Sequence, residues 1–341
     1  MAVAAELRDS GAEVSFLGTQ ERIEAELVPA AGYEIDFVKV RGIDRRNPLR
    51  AARAGFEALG AIGAARSALR RRGADVVMGG GGFVAGPAGL GAALTRTPLV
   101  LTEADSHLGL ANRLLAGRAR RVCLAFPIEG RDGDRYLVTG RPVPDAVLSA
   151  DREAARQRFG IPLAARCLLV MGGSQGARSL NFAALEAFAE AGGRDFHVLH
   201  LSGRRDHEEL AARLAGAAHG DGYTLLAYES DLGDVLAAAD LVLGRSGGSI
   251  FEMTAAGRPA ILVPYPHATA DHQSANAAWV EKRGAATVLA DDQLSVARLT
   301  AAVGGLFGDP ARLESMAAAA RQIAKPDAAR RIADEVLRAA G

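Results

Sequence analysis

The segment Leu-Leu-Val-Met-Gly-Gly-Ser-Gln-Gly-Ala-Arg at residues 168–178 constrains the fold more than any other stretch of the chain. Its first four residues are typical of a buried strand, and the residues after Gly176 are typical of a helix that continues to Glu190. A strand that turns through glycine into a helix N-terminus leaves backbone N–H groups free for an anion, and the helix dipole favours negative charge there. The segment predicts an α/β domain with a phosphate site, although a plain strand-to-helix turn has the same pattern.

Two further glycine-rich segments, residues 79–87 and 244–249, also lie between a predicted strand and a predicted helix. None of the three junctions has the Gly-x-x-x-x-Gly-Lys-Ser/Thr pattern of a P-loop. None has the Gly-x-Gly-x-x-Gly spacing followed by an acidic residue that a nicotinamide site requires. Phosphate binding is therefore expected, but neither ATP held in a P-loop nor NAD.

Strands alternate with helices on both sides of the rigid segment Gly-Arg-Pro-Val-Pro at residues 140–144. This alternation predicts an α/β protein with two Rossmann-like, parallel-sheet domains that face each other across a cleft. We place the domains at residues 1–143 and 144–341. The pattern leaves open whether the last helix, predicted over residues 328–340, returns to the N-terminal domain.

Charge and cysteine content narrow the classes of function. The 341 residues include 40 Lys and Arg against 40 Asp and Glu, a balance that argues against a nucleic-acid partner. Cys123 and Cys167 lie in apolar runs and are predicted to be buried strand residues rather than a disulfide or a nucleophile. No apolar run approaches the roughly 18 residues of a membrane span, and no signal peptide is expected, so we predict a cytoplasmic protein.

The N-terminal third has two unusual features. A predicted helix that ends at Gly11 precedes the first predicted strand, whereas doubly wound units begin with a strand, so we expect that a first strand and its loop are missing. Residues 41–72 hold nine arginines against two acidic residues, with apolar residues at roughly helical spacing. This pattern fits a membrane-surface helix, to which Arg45, Arg46, Arg50 and Arg53 would contribute, and it equally fits a packed helix with a solvated basic face.

Polar residues after the third junction suggest a nucleotide sugar. Glu252 lies one turn into the following helix and can accept two hydrogen bonds from a ribose diol. Its alternative role is that of a helix N-terminal carboxylate favoured by the dipole. The N–H groups of the preceding loop would bind the phosphates through Gly247, Gly248 and Ser249.

Gln273 and Asn276 are three residues apart on the next predicted helix and share one face. Each side-chain amide offers both a donor and an acceptor to sugar hydroxyls. The alternative is a pair of solvated helix amides. His267 and His272 lie nearby, but no cysteine or carboxylate cluster accompanies them, so we predict no metal site.

Four segments in order along the chain resemble glycosyltransferase family 28, whose peptidoglycan enzymes have the two-domain GT-B fold. They are Gly-Gly-Phe-Val-Ala-Gly-Pro at 81–87, Gly-Gly-Ser-Gln-Gly-Ala-Arg at 172–178, Arg-Ser-Gly-Gly-Ser-Ile-Phe-Glu at 245–252 and Ala-Asp-His-Gln-Ser-Ala-Asn-Ala at 270–277. The similarity extends from Met1 to the C-terminal helix. It implies inverting transfer of N-acetylglucosamine (GlcNAc) from UDP-GlcNAc to lipid I, giving lipid II, at the cytoplasmic face of the membrane and without a cofactor.

The resemblance also implies residue roles. In the C-terminal half the donor would contact Ser174, Gln175 and Gly176 at the diphosphate, Glu252 at the ribose, Gln273 and Asn276 at the GlcNAc, and the backbone near Tyr228 and Glu229 at the uracil. In the N-terminal half, Gly81 and Gly82 would approach the acceptor diphosphate, and the basic stretch would meet the membrane.

Three departures from the family pattern concern catalysis. The family's first strand and its glycine loop, which carries a histidine implicated in catalysis, are not found. Thr-Glu-Ala-Asp at 102–105 replaces His-Glu-Gln-Asn, and Gly-Arg-Pro-Val-Pro at 140–144 replaces Gly-Asn-Pro-Val-Arg, so Arg141 is the candidate substitute for an arginine near the diphosphate. The loop at 245–249 also looks one residue short.

An inverting transfer needs a base for the acceptor hydroxyl, and Glu103 and Asp105 are the carboxylates that we nominate. Their alternative role is capping and positioning. Two other functions stay open: a GT-B transferase with a different lipid acceptor, and a UDP-sugar-binding protein without turnover.

Overall fold

The computed structural model describes residues 1–40, 48–173, 176–190, 194–218 and 220–341, and for residues 48–58 it describes the backbone alone. These residues form two compact units. Unit 1 comprises Met1–Pro142 together with Asp327–Gly341, and unit 2 comprises Val143–Pro326. Every strand pairing in the described residues is parallel, as expected where strands alternate with helices.

Unit 1 has two parallel sheets in its described part, one of order β1-β2 and one of order β3-β4-β5-β6. Its elements are α1 (Ala2–Asp9), β1 (Ser15–Gly18), α2 (Glu24–Ala30), β2 (Glu34–Phe37), α3 (Pro48–Arg72), β3 (Val77–Gly79), α4 (Gly82–Thr95), β4 (Leu99–Glu103), α5 (Leu110–Leu115), β5 (Arg121–Leu124), β6 (Tyr136–Val138) and the C-terminal α15 (Ala328–Ala340).

The last helix, α15, belongs to unit 1. Its apolar residues Ile332 and Val336 share a buried cluster with Leu7 of α1. Glu335, which is 6% exposed, forms an ion pair with Arg121 of β5 at 2.5 Å. The helix α15 therefore supplies both apolar packing and a partly buried ion pair to the N-terminal unit.

The strands of unit 2 form a six-stranded sheet of order β12-β11-β10-β7-β8-β9. Its elements are α6 (Asp145–Ser149), α7 (Arg152–Arg158), β7 (Arg166–Met171), α8 (Arg178–Phe188), β8 (Phe196–Leu201), α9 (His207–Ala215), β9 (Tyr223–Leu226), α10 (Leu232–Ala238), β10 (Leu241–Gly244), α11 (Ile250–Ala255), β11 (Ala260–Leu262), α12 (His272–Glu281), β12 (Ala286–Val288), α13 (Val296–Phe307) and α14 (Pro310–Ile323). The central strands β7 and β10 are nearly continuous apolar runs and are buried, as in sheets covered by helices on both faces.

The second glycine-rich segment differs from its prediction. The sequence pattern suggested a loop over 79–87 ahead of a helix, whereas α4 begins at Gly82. The later glycines of α4 serve helix packing, because a Cβ on Gly89 would lie 2.4 Å from the Leu115 side chain of α5, and one on Gly91 would lie 3.1 Å from Ala65 of α3. Gly89 and Gly91 let α4 pack closely against α5 and α3. Because α4 begins at Gly82, only the residues before Gly82 form the loop.

Several short elements were not predicted from the sequence. The strand β12 and the helices α5, α6 and α7 have between three and seven residues, which is too few to show a clear period. The prediction for the cysteines is confirmed: Cys123 in β5 and Cys167 in β7 are buried and free. Burial raises the pKa of both thiols to about 12, so neither is a ready nucleophile near neutral pH.

Candidate functional site

The carboxyl ends of β7 and β10 mark the point where the strand order of unit 2 reverses. The chain builds outward from β7 through β8 and β9, and then outward from β10 in the opposite direction through β11 and β12. Ligands of open parallel sheets bind at such a switch point, because the loops leaving the two strands diverge and open a crevice. The two loops at this point are the glycine-rich residues 172–177 and 245–249.

The loop at 172–177 has a shape that depends on glycine. Gly173 and Gly176 have φ angles of +89° and +76°, and the Gly176 N–H donates to the Gly173 carbonyl over 2.9 Å. A Cβ on Gly172 would collide with the loop's own backbone, and one on Gly176 would collide with the carbonyl oxygen of Ser202. The chain after Gly176 leads into the N-terminus of α8, where N–H groups and the dipole favour an anion. Two residues predicted to bind the phosphates lie outside the described residues, Ser174 and Gln175.

A buried polar network holds α8 against the loop after β8. The Asn181 side-chain NH₂ donates to the Ser202 carbonyl at 2.7 Å and to an Asp206 carboxylate oxygen at 3.0 Å. His200 contacts Asn181 Oδ1 at 3.1 Å and the Tyr223 hydroxyl at 2.8 Å. Burial lowers the pKa of His200 to about 3, so its ring is neutral at physiological pH. His200 therefore supports the wall of the glycine loop as a neutral group, and the charge of Asp206 is paired with Arg205 at 2.9 Å.

The loop at 245–249 is anchored to α12. The Ser246 hydroxyl donates to the Gln273 carbonyl at 2.8 Å, and the Asn276 side chain donates to the Ser246 carbonyl at 3.0 Å. Asn276 is only 1% exposed. The structure therefore places Asn276, which we expected at the sugar, as an anchor of the loop.

Arg245 joins four segments at this edge of the sheet, a role that the sequence analysis missed. Its guanidinium donates to the carbonyls of Val263 and Pro264, both at 3.1 Å, and to the Ser179 hydroxyl of α8 at 2.8 Å. It also forms an ion pair with Asp291 at 2.6 Å. Arg245 lies inside one of the recognised motifs, but its partners are as far as 66 positions away along the chain, so local sequence could not reveal them.

The predicted ribose and sugar residues surround the same end of β10. Glu252 lies in the first turn of α11, and Gly247, Gly248 and Ser249 precede it. Gln273 lies in the first turn of α12, where its side-chain carbonyl accepts from the Tyr265 N–H at 2.9 Å. Its amide nitrogen lies 3.7 Å from where a Cβ on Gly247 would be. The structure thus places Glu252 and Gln273 beside the loop at 245–249, and the Gln273 NH₂ group lies near Gly247 of that loop.

The loop after β9 holds Tyr228 and Glu229. The Tyr228 ring is 50% exposed and lies beneath the Arg204 guanidinium, 4.8 Å from it. The Glu229 carboxylate pairs with Arg158 at 2.6 Å and accepts from the Asp231 N–H at 2.9 Å. The Glu229 side chain is therefore committed to the protein, which suits the expectation that its backbone rather than its carboxylate contacts the base.

In unit 1, the two carboxylates nominated as the base, Glu103 and Asp105, differ in their burial and in their hydrogen bonds. Glu103 is 8% exposed, and its two oxygens accept four hydrogen bonds of 2.8–3.3 Å from the Ala104, Asp105 and Gly109 N–H groups and the Asn112 side chain. Asp105 is half-buried, and no described residue hydrogen-bonds its carboxylate. Glu103 thus shapes the loop after β4, and Asp105 is left with its carboxylate available to a ligand.

The remaining predicted residues lie near the ends of unit 1 elements. Gly81 and Gly82 have φ angles of +81° and +74° and form the turn into the N-terminus of α4. Arg141 is half-buried between β6 and the unit boundary. Its proximity to a diphosphate stays a prediction.

Sequence profiles and curated relatives agree on the family. The profile for the glycosyltransferase family 28 N-terminal domain matches residues 1–124, and that for the C-terminal domain matches residues 167–332. Relatives from Moorella thermoacetica and Nitrosococcus oceani are 40% and 41% identical, over 99% and 100% of this chain and 94% of each relative. Both relatives are named UDP-N-acetylglucosamine--N-acetylmuramyl-(pentapeptide) pyrophosphoryl-undecaprenol N-acetylglucosamine transferase.

A solved structure supports the same assignment. The crystal structure of Acinetobacter baumannii MurG matches with a TM-score of 0.80 and 28% identity, over 99% of this chain and 94% of that chain. Two parallel-sheet units, the two matching domain profiles and these relatives establish the GT-B fold. The chain belongs to glycosyltransferase family 28.

Proposed function

We propose that this enzyme transfers GlcNAc from UDP-GlcNAc to lipid I, with inversion at the anomeric carbon, giving lipid II. The observation that carries the proposal is the pair of loops at 172–177 and 245–249, which flank the switch point of unit 2 with Glu252 and Gln273 beside them. The reaction is the one stated in the names of relatives that align along nearly the whole chain.

The donor lies across the carboxyl edge of the unit 2 sheet. The diphosphate binds at the N-terminus of α8 and at the N–H groups of Gly247, Gly248 and Ser249. Glu252 accepts hydrogen bonds from the ribose diol, and the Gln273 NH₂ donates to a GlcNAc hydroxyl. Asn276 acts through Ser246, by holding the loop that the donor contacts.

Glu252→Ala is expected to weaken UDP-GlcNAc binding by about 10- to 100-fold, because charge-assisted hydrogen bonds contribute about 1.5–3 kcal/mol. Calorimetric titration with UDP-GlcNAc and with UDP measures the loss, which should be similar for both ligands because both carry the ribose. Glu208→Ala, at an exposed glutamate of α9, is the matched control. Unchanged affinity in Glu252→Ala would refute the ribose assignment.

In the transfer step, the acceptor hydroxyl oxygen attacks the anomeric carbon as the bond to the β-phosphate oxygen breaks. Asp105 takes the hydroxyl proton, and UDP leaves with the negative charge. The α8 N-terminus and the backbone N–H groups of the donor loops stabilise that charge. Gly81 and Gly82, at the start of α4, bind the acceptor diphosphate by the same use of a helix N-terminus.

Unit 1 also carries the surface that we assign to the cytoplasmic face of the membrane. Six large apolar side chains on the helices α3, α4 and α5 are 40–66% exposed: Leu59, Phe83, Leu90, Leu94, Leu110 and Leu114. Arg66, Arg70 and Arg71 line a depression of about 390 Å³ on α3. Exposed apolar side chains beside basic ones fit peripheral binding to anionic lipid. No helix in the described ranges has the length and hydrophobicity needed to span a bilayer.

The predicted contribution of Arg45, Arg46, Arg50 and Arg53 falls on residues whose side chains lie outside the described part of the chain. The exposed leucines of α4 provide a test that does not depend on them. Leu90→Glu with Leu94→Glu is expected to reduce sedimentation with phosphatidylglycerol vesicles by about tenfold or more, because a leucine contributes about 1.5–3 kcal/mol when it leaves water. Binding by the unaltered chain should also weaken with added salt.

The control for this pair is Leu163→Glu with Val296→Glu, since both residues are exposed in unit 2. Sedimentation that falls equally in both double variants would place the membrane contact elsewhere.

A transfer assay tests the whole proposal. The chain is titrated with UDP-GlcNAc, with UDP-glucose as the control sugar, and GlcNAc transfer to a lipid I analogue is measured in the same sample. Binding with transfer supports the proposed reaction. Binding with transfer only to another lipid, or binding without any transfer, would favour one of the two alternative functions, and no binding would overturn the donor assignment.

A further inference from the structure

The amino-terminal edge of the unit 2 sheet, opposite the donor loops, holds a cluster of arginines around one aspartate. Arg152 and Arg156 come from α7, Arg258 comes from the turn between α11 and β11, and Asp240 immediately precedes β10. Three guanidinium groups therefore lie near a single carboxylate at this edge, and two of them pair with it.

The carboxylate is fully used by α7 and by the sheet. Asp240 Oδ1 pairs with Arg152 at 2.5 Å, and Oδ2 accepts from Arg156 and from the Cys167 N–H, both at 2.8 Å. Arg156 also donates to the carbonyl of Ala238 at 3.1 Å, and Arg152 donates to the carbonyl of Ala237 at the same distance. Arg156 is thus satisfied by the protein, Arg152 has no described partner at its Nε, and Asp240 has little capacity left for a third arginine.

Arg258 has no such partner. Its Nε is shielded from solvent and makes no hydrogen bond, and no described residue accepts a hydrogen bond from the rest of its guanidinium. Burial, followed by the nearby charge of Arg152, lowers the pKa of Arg258 to about 10. The neighbouring Arg321 packs its side chain near Gly257 and has its own partner in Glu314, at 2.7 Å. The cluster therefore keeps an excess of positive charge with unused donors.

We propose that Arg258 and Arg152, at the edge of this cluster, bind a small phosphoryl-type oxyanion such as inorganic phosphate. A partly buried guanidinium whose shielded Nε has no acceptor is costly, and an oxyanion supplies both the counter-charge and the acceptor oxygens. Arg152, whose side chain is 39% exposed, provides a second donor group reachable from solvent. Because Arg258 is recessed, the site favours a free ion over the headgroup of a packed bilayer.

The site is separate from the donor pocket, since it lies at the other end of the strands. It is independent of the proposed transferase reaction. Helix α11 links the two regions, with Glu252 in its first turn and Arg258 three residues beyond its last.

The test is a titration of the full chain with inorganic phosphate, followed by ³¹P NMR and by thermal unfolding, with and without saturating UDP. We expect phosphate to raise the Tm in both conditions. Arg258→Leu is expected to weaken phosphate binding at least tenfold and to abolish the UDP-independent rise in Tm, while the Tm without phosphate does not fall. If the leucine variant does not fold, Arg258→Lys replaces it in the test. Lysine keeps the positive charge but not the planar guanidinium, so this variant should bind phosphate with intermediate affinity.

The control is Arg298→Leu, at an exposed arginine of α13, which should bind phosphate as the unaltered chain does. Equal phosphate binding by the Arg258 variants, or binding that disappears entirely with UDP, would overturn the proposal in favour of the donor loops alone. Loss of phosphatidylglycerol vesicle binding in Arg258→Leu would overturn the assignment to a free ion. If the chain fails to bind UDP, the donor assignment fails, but the comparison between the variants still decides this site.

Discussion

Asp105→Asn is expected to lower kcat for GlcNAc transfer by about 10²- to 10⁴-fold, the range that a positioned general base contributes. The KM for UDP-GlcNAc should stay within about threefold of its original value, because the donor residues lie in unit 2 and the substitution removes an interaction of the transition state. Asparagine keeps the size of the side chain but cannot accept the hydroxyl proton. Steady-state kinetics with a lipid I analogue measure both constants.

Glu103→Gln separates the base from its neighbour. The Glu103 oxygens accept three hydrogen bonds from the loop that contains Asp105 and one from Asn112 of α5, so an NH₂ group in place of one oxygen would disturb that loop. We expect this variant to lose stability as well as activity, whereas Asp105→Asn should unfold as the unaltered chain does. Asp132→Asn, at an exposed carboxylate of the same unit, is the inert control. Near-normal kcat in Asp105→Asn would contradict the assignment of the base.

Arg156→Leu is expected to lower the free energy of unfolding of unit 2 by about 3–5 kcal/mol, the usual cost of removing one partner from a buried ion pair. The Arg156 side chain is fully buried and donates to four carbonyls as well as to Asp240. A leucine would leave those carbonyls without a donor, and Asp240 with Arg152 as its remaining ion-pair partner on α7. Urea denaturation followed by the fluorescence of Trp279, the chain's single tryptophan, reports on unit 2.

Arg152→Leu is the matched comparison, because Arg152 pairs with the same aspartate but its side chain is 39% exposed. Its loss should be about 1 kcal/mol or less, as for exposed ion pairs. Equal losses in the two variants would mean that burial does not set the strength of the Arg156 contacts.

Much of the architecture could be predicted because the signals are local. The buried strand before Gly172 and the turn into α8 follow from apolar runs and glycine placement within about a dozen residues. The prediction placed the loop over 79–87, whereas the helix α4 already begins at Gly82, because glycine and proline are poor helix formers and conceal its first turns in the sequence. It also missed β12, whose three residues show no period of their own.

For the candidate site, too, local sequence predicted some features and could not predict others. Residue types and motif order pointed to a nucleotide-sugar enzyme, and the family assignment confirmed that interpretation. The sequence could not distinguish Glu103 from Asp105, or Gln273 from Asn276, because each pair has similar chemistry and adjacent positions. In the structure, Glu103 and Asn276 are held by the protein, while Asp105 and the NH₂ of Gln273 have no partner among the described residues.

By itself, the sequence determined the two α/β halves, the glycine junctions and the membership of family 28, since these depend on periodicity, turn chemistry and motif order along the chain. Only the tertiary structure decided which polar groups are already satisfied. Arg245 meets Ser179 and Asp291, and Arg156 meets Asp240, across 46 to 84 positions of sequence. A hydrogen bond or ion pair requires contact within about 3 Å, and such contacts between distant residues exist only after the strands and helices have packed.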